Sequence, residues 1–152
     1  MQFQDKVAVV TGGASGIGAA CCRNFAARGA KVVVADLNGD GANAVAAEFG
    51  GLGIGCNVGD EGEVDALVAK VEEAYGPVDI LFNNAGINSG REILNTDLSV
   101  WSDQWQVNLM AHVYAVRAVL PHGTDQQHAE LCAGFLAVLV ARRFATPVIA
   151  GD

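Results

Sequence analysis

The 152-residue sequence is short of positive charge, with 9 Lys and Arg against 17 Asp and Glu and a net charge of −8. A uniformly acidic surface repels nucleic acid and anionic lipid, so neither is expected as a partner. Long hydrophobic runs are missing too. The longest uncharged apolar stretch, Leu131 to Ala141, is far below the ~20 residues needed to span a bilayer. Asp5 and Lys6 interrupt the start before the apolar core of a secretory signal can form. These absences predict a cytoplasmic protein without membrane contact. Cys-x-x-Cys spacing is absent, and Cys21, Cys22, Cys56 and Cys132 form no ligand set with His112, His122 and His128. No metal site is expected, and the cysteines read as reduced, small hydrophobes. Aromatics are only 7% of a chain that is 51% apolar, so the core must be built from Val, Ala, Leu and Ile. Small aliphatics of this kind suit helices packed on a parallel sheet.

What is present alternates between two hydrophobic periods. Lys6 to Val10 reads as a buried strand, and Gly16 to Arg28 as a helix with Ile17, Ala20, Cys21, Asn24 and Phe25 on one face. Lys31 to Ala35 is a β-branched second strand. Ala42, Val45, Ala46 and Phe49 repeat at helical spacing, and Leu52 to Cys56 is a weaker third strand. Glu61 to Tyr75 is the best helix, with Val64, Leu67, Val68, Val71 and Tyr75 in one apolar stripe. Gly76-Pro77 stops it, and Asp79 to Phe82 is a fourth strand. A last long helix is expected from about Ser102 to Leu120, ended by Pro121. The fold class is therefore α/β: a doubly wound parallel sheet with helices on both faces and right-handed crossovers.

The first strand runs directly into Thr11-Gly12-Gly13-Ala14-Ser15-Gly16-Ile17-Gly18 and then into a helix. Glycine at 12 permits the tight turn, glycine at 16 lets backbone approach a pyrophosphate, and glycine at 18 lets helix and sheet pack closely. The helix start offers free N–H groups and a positive dipole end to phosphates. The second strand ends in Asp36, 18 residues after Gly18. A carboxylate there accepts hydrogen bonds from a ribose diol and repels a 2′-phosphate, so NAD is favoured over NADP.

Thr-Gly-x-x-x-Gly-x-Gly is the glycine pattern of the short-chain dehydrogenase/reductase family, which this sequence resembles from residue 5 to about 121. Asn83-Asn84-Ala85-Gly86 after the fourth strand is similar to the family's Asn-Asn-Ala-Gly signature, and Gln106-Val107-Asn108 to its Val-Asn element. The resemblance implies a Rossmann-like domain over 1–121 and hydride transfer between NAD(H) and an alcohol or carbonyl. It implies that Gly12, Ser15, Gly16, Ile17 and Gly18 hold the pyrophosphate, and that Asp36 and Leu37 hold the adenosine ribose. Asn57 and Val58 would flank the adenine, where many relatives carry Asp-Val. Asn84, Ala85 and Gly86 would border the nicotinamide ribose. Asn108 would be catalytic, holding a kinked backbone carbonyl in a proton relay. Helices equivalent to Glu92–Leu120 commonly form the family's dimer contact, which implies a homo-oligomer or pairing with a full-length relative.

The family's chemistry also needs a Ser and a Tyr-x-x-x-Lys pair. A Lys one helical turn on depresses the Tyr pKa, and the Tyr hydroxyl moves the proton that matches the hydride. Tyr75 is followed four residues on by Asp79 and Tyr114 by Ala118, while Lys6, Lys31 and Lys70 lie in the first half. No serine occurs after Ser102. The resemblance stops near Pro121-His122, which predicts truncation or a changed reading frame, with 122–152 as a divergent helical tail. Of the strand order that the resemblance implies, only 3-2-1-4 is assignable, so the sheet is expected to be incomplete, with the fourth strand an exposed edge. A helix from 128 to 144 is expected to cover part of that edge. The expected result is a chain that binds nucleotide without turnover. The alternatives are a non-catalytic NAD-binding or dimerisation module and an unstable fragment.

Overall fold

The computed structural model describes residues 3–88 and 93–120, and two strands at Ala129–Leu131 and Ala137–Ala141. Four parallel strands form the centre: β1 (Val7–Thr11), β2 (Lys31–Asp36), β3 (Leu52–Gly55) and β4 (Ile80–Asn83). They stand in the order β3-β2-β1-β4, as the family resemblance implies. β1 sits between β2 and β4, with Val9 opposite both Val33 and Leu81. All five of its residues are buried, because helices cover both faces.

Side-chain alternation divides the core in two. Val7, Val9, Val33, Ala35 and Leu81 face the layer containing α3 (Glu61–Tyr75) and α5 (Ala111–Val119). Val10, Val32, Val34 and Phe82 face α1 (Gly16–Ala27) and α2 (Gly39–Ala47). The predicted α3 stripe packs as expected, with Val64, Leu67, Val68 and Val71 buried and Tyr75 against the same cluster. Each such burial contributes about 1.5–3 kcal/mol. Asp60 caps this helix by accepting from the Glu63 N–H at 3.0 Å.

The α1 face differs from expectation. Gly18, Ala19 and Cys22 are buried, Cys21 and Phe25 are only half covered, and Ile17 is 64% exposed. The helix start lies so close to the glycine turn that Gly18, Ala19 and Cys22 meet the sheet there, while further along Phe25 and Cys21 pack against the same core, Phe25 edge-on to Phe82 of β4.

The last long helix starts earlier than expected and is not uniform. α4 (Leu98–Trp105) passes through one π-helical turn at Gln106–Met110 into α5. The Ala111 N–H reaches back to the Gln106 carbonyl, five residues away. A π turn adds a residue and shifts the phase of the apolar stripe, so a single helical period could not show it.

The strands at 129–131 (β5) and 137–141 (β6) replace the helix expected over 128–144. β6 pairs antiparallel with β4, Ile80 opposite Val140 and Asn83 opposite Ala137, and β5 pairs with β6. The fourth strand is therefore covered rather than left as an edge. Its unsatisfied N–H and C=O row favours a strand over a helix for an apolar segment without clear period. Among the described residues no helix is long and apolar enough to cross a membrane, and no cluster of His, Cys, Asp or Glu could hold a metal. Cys21, Cys22 and Cys56 are free thiols, while Cys132 lies outside the described residues.

Candidate functional site

The site begins where β1 ends. Gly12 has φ of +64° and Gly16 of +51°, a region that glycine enters without penalty. A side chain on Gly12 would also meet the Ala85 backbone at 2.9 Å, because the two loops touch there. Gly18 lies buried beneath the turn, where a Cβ would collide with the Gly12 carbonyl. Ser15 caps α1 in extended conformation with no hydrogen bond from its hydroxyl to the helix. The first-turn N–H groups of α1 lack intrahelical partners by geometry. Together with the exposed Ser15 they present unpaired donors at the positive end of the helix, an arrangement that can accept an anion.

Asp36 closes β2 beside this turn. Its Oδ2 accepts from the Ala14 N–H at 3.0 Å, and its Oδ1 from the Asn38 N–H at 2.9 Å. The Gly13 N–H donates to Ala35 O at 3.1 Å, and the Cys56 N–H to Asp36 O at 2.8 Å. Asn38 in turn caps α2 by accepting from the Gly41 N–H at 3.0 Å. Leu37, next along, is 77% exposed.

Beyond β3, Asn57 accepts from the Gly59 N–H at 3.1 Å, and its own N–H donates to Glu63 at 2.7 Å. This fixes the loop ahead of α3, with Val58 buried and Asn57 exposed. Burial, reinforced by the nearby Glu63 and Asp60 carboxylates, pushes the Cys56 thiol up to about 11.

After β4, the Asn84 amide group donates to the carbonyls of Thr11 and Gly12, both at 3.1 Å. The backbone N–H groups of Asn84 and Ala85 donate to the Thr11 hydroxyl at 3.0 and 3.2 Å. One threonine thereby ties the β1 turn to the β4 turn. Asn108, in the π turn, accepts from the Ile87 N–H and donates to the Ile87 carbonyl, both at 2.8 Å. The loop after β4 is thus held from both sides.

These segments border one cleft of about 400 Å³ at the C-terminal ends of the parallel strands, where open α/β sheets bind ligands. Its walls include Gly12, Ser15, Gly16, Ile17, Asp36, Leu37, Asn57, Val58, Asn84, Ala85 and Gly86. Of the expected cofactor residues, Gly18 alone does not line it; it sets the helix position from behind. Asn108 is not in the wall, but bonds to Ile87, which is.

Sequence reasoning missed four contributors. Cys56, Ile87 and Val107 line the cleft, and Thr11 braces it. Each adjoins a residue that the motifs named, and Thr11 stands inside the glycine motif itself. Proximity to those motifs was the available signal.

A family model described as short chain dehydrogenase matches residues 6–131, extending past Pro121, where the sequence motifs stop. The chain is 34% identical over 133 residues to 3-oxoacyl-(acyl-carrier-protein) reductase of Escherichia coli (strain K12), covering 86% of this chain and 54% of that protein. It is 48% identical over 92 residues to tropinone reductase-like 2 of Erythroxylum coca, covering 59% and 34% respectively. A crystal structure of 3-ketoacyl-(acyl-carrier-protein) reductase from Brucella melitensis complexed with NADH matches with a TM-score of 0.77 at 35% identity, covering 80% of this chain and 51% of that one. The chain thus spans about half the length, or less, of the relatives it matches.

Proposed function

We propose, because the chain belongs to the short-chain dehydrogenase family and its four strand-end loops border a single cleft, that it binds NAD(H) there. The observation that carries this reading is the shared wall. The Gly12–Ile17 turn, Asp36–Leu37, Asn57–Val58 and Asn84–Gly86 all border this cleft, which supports a ligand as extended as a dinucleotide. The α1 start and Ser15 would take the pyrophosphate. Asp36 would take the adenosine ribose and disfavour a 2′-phosphate, giving preference for NAD over NADP. Asn57 and Val58 would flank the adenine, and Ala85 and Gly86 the nicotinamide ribose.

A bound nicotinamide supplies or accepts the hydride exchanged with an alcohol or carbonyl. The chain's own residues bind and orient it. Thr11 and Asn84 hold the wall, and Asn108 holds Ile87 through both backbone bonds. Asn108 therefore serves here as a positioning residue. The 152 residues contain no Tyr-x-x-x-Lys, so the function proposed for them is nucleotide binding. Fluorescence titration with NADH and NADPH tests the reading. Saturable binding favouring NADH is expected; equal binding would remove the role given to Asp36, and binding of neither would remove the site.

A second reading, association with another copy or a full-length relative, rests on the Leu98–Val119 helical run. Leu98, Trp101, Trp105, Leu109 and Val113 are all at least 41% exposed along it, and contiguous exposed apolar surface marks interaction sites. Glu92, where the expected contact begins, lies outside the described residues. Light scattering coupled to size exclusion tests this, with Trp105→Glu expected to shift a dimer towards monomer.

A further inference from the structure

Asp36 carries more hydrogen bonds than a ribose contact requires. Its carboxylate spans two loops, accepting from Ala14 in the glycine turn at 3.0 Å and from Asn38 in the β2–α2 turn at 2.9 Å. Its backbone carbonyl accepts from Cys56 at the end of β3. The Ala14 bond is the informative one. Ala14 lies between Gly12 and Gly16, both at positive φ, in a turn with little side-chain packing of its own. Besides the Asp36 carboxylate, the tie between this stretch and β2 is the Gly13 N–H to Ala35 O bond at 3.1 Å. On the far side the Ala14 methyl faces Gly41, where an added Cβ would come within 3.1 Å. The turn is seated between α2 and the carboxylate.

We infer that Asp36 is a positioning residue for the pyrophosphate turn as well as a reader of the ribose. Through the Ala14 N–H it holds the glycine turn in its binding shape before any nucleotide arrives. This rests on the dinucleotide reading of the cleft. Preorganisation of this kind strengthens binding by removing the ordering cost from the binding step.

The two roles separate in two variants. Asp36→Asn removes the charge but leaves an amide oxygen able to accept from Ala14, whereas Asp36→Ala removes both. If Asp36 only reads the ribose, both variants lose the repulsion of a 2′-phosphate and bind NADPH equally well. If it also holds the turn, Asp36→Ala binds NADPH up to ~tenfold more weakly than Asp36→Asn, the loss expected for one neutral hydrogen bond. NADH weakens in both, and more in Asp36→Ala. A second readout needs no ligand: amide exchange of Ala14 in the nucleotide-free chain is expected to quicken ~tenfold in Asp36→Ala and to stay near wild type in Asp36→Asn. Equal NADPH affinities together with unchanged Ala14 exchange would overturn the inference. Should Asp36→Ala fail to fold by circular dichroism, Asp36→Thr, whose hydroxyl stands one bond closer to the backbone, replaces it. If the wild-type chain binds neither dinucleotide, the cleft reading fails, and Ala14 exchange alone decides whether Asp36 holds the turn.

Discussion

Replacing Gly18 with Ala adds a single methyl group where the structure has no room for it. Its Cβ would fall within 2.7 Å of the Asn84 side-chain nitrogen and 2.8 Å of the Gly12 carbonyl carbon, and closer still to the Gly12 oxygen. These neighbours cannot turn aside. The Gly12 atoms are backbone in a positive-φ turn, and the Asn84 amide is held by two carbonyls. α1 must therefore lift from the sheet or the turn must open. Overpacking of this kind costs about 1–3 kcal/mol, which lowers the melting midpoint by roughly 3–9 °C in a chain of this size. Gly12 and Asn84 both line the cleft, so NADH affinity is expected to fall at least ~tenfold as well. Gly50→Ala is the control. Its φ of +70° makes the substitution strained, but an added Cβ meets nothing within 4 Å. It is expected to cost ~1–2 kcal/mol and to leave NADH binding unchanged. Thermal melts and nucleotide titrations on both variants decide the matter. A Gly18→Ala chain that melts and binds like wild type would refute the close-packing argument.

Thr11→Val deletes a buried hydroxyl that accepts from two backbone N–H groups. It is expected to cost on the order of 2 kcal/mol, with Thr11→Ser near neutral; urea melts showing the two variants equally stable would contradict this. Burial holds the His112 imidazole below its usual 6.5. The unfolded chain therefore takes up the proton first, so stability is undiminished above pH 6.5 and falls as pH drops through that value, levelling off below the folded pKa. Chemical denaturation across this range should show a shallower loss in His112→Gln, and an identical slope would reject the assignment. Burial pushes the thiols of Cys22 and Cys56 up to about 12 and about 11. Both should resist iodoacetamide at pH 8 in the folded chain and react once urea is added; mass spectrometry showing prompt labelling of either in the native state would disprove it.

Much of the fold was legible because its determinants are local. The β-branched runs of β1 and β2, the α3 stripe and the Gly-Pro stop each declare themselves within a window of a few residues. The alternation of such windows implies a parallel sheet, since parallel strands need crossovers. The site was legible for the same reason. The glycine turn and Asp36 lie at strand ends, and the topology brings strand ends together.

The α1 face was only partly legible: Cys21 and Phe25 pack against the core as the apolar spacing suggested, but Ile17 does not. The tight approach at Gly18 instead turned Ala19 and Cys22 inward. Nor did the period reveal the π turn that aims Asn108 at Ile87, since one extra residue only shifts a helix's phase.

By itself, then, the sequence determined the order of strands and helices along the chain, the glycine turn and the acid that ends β2, all set by short-range pattern and backbone conformation. Only the tertiary structure decided that Thr11 and Asn84 lock two loops together, that the Asp36 carboxylate reaches the glycine turn, and that the segment at 137–141 pairs with β4. Each of these joins residues remote in the chain, and a polar group's partner or an open strand edge exists only once the sheet has formed.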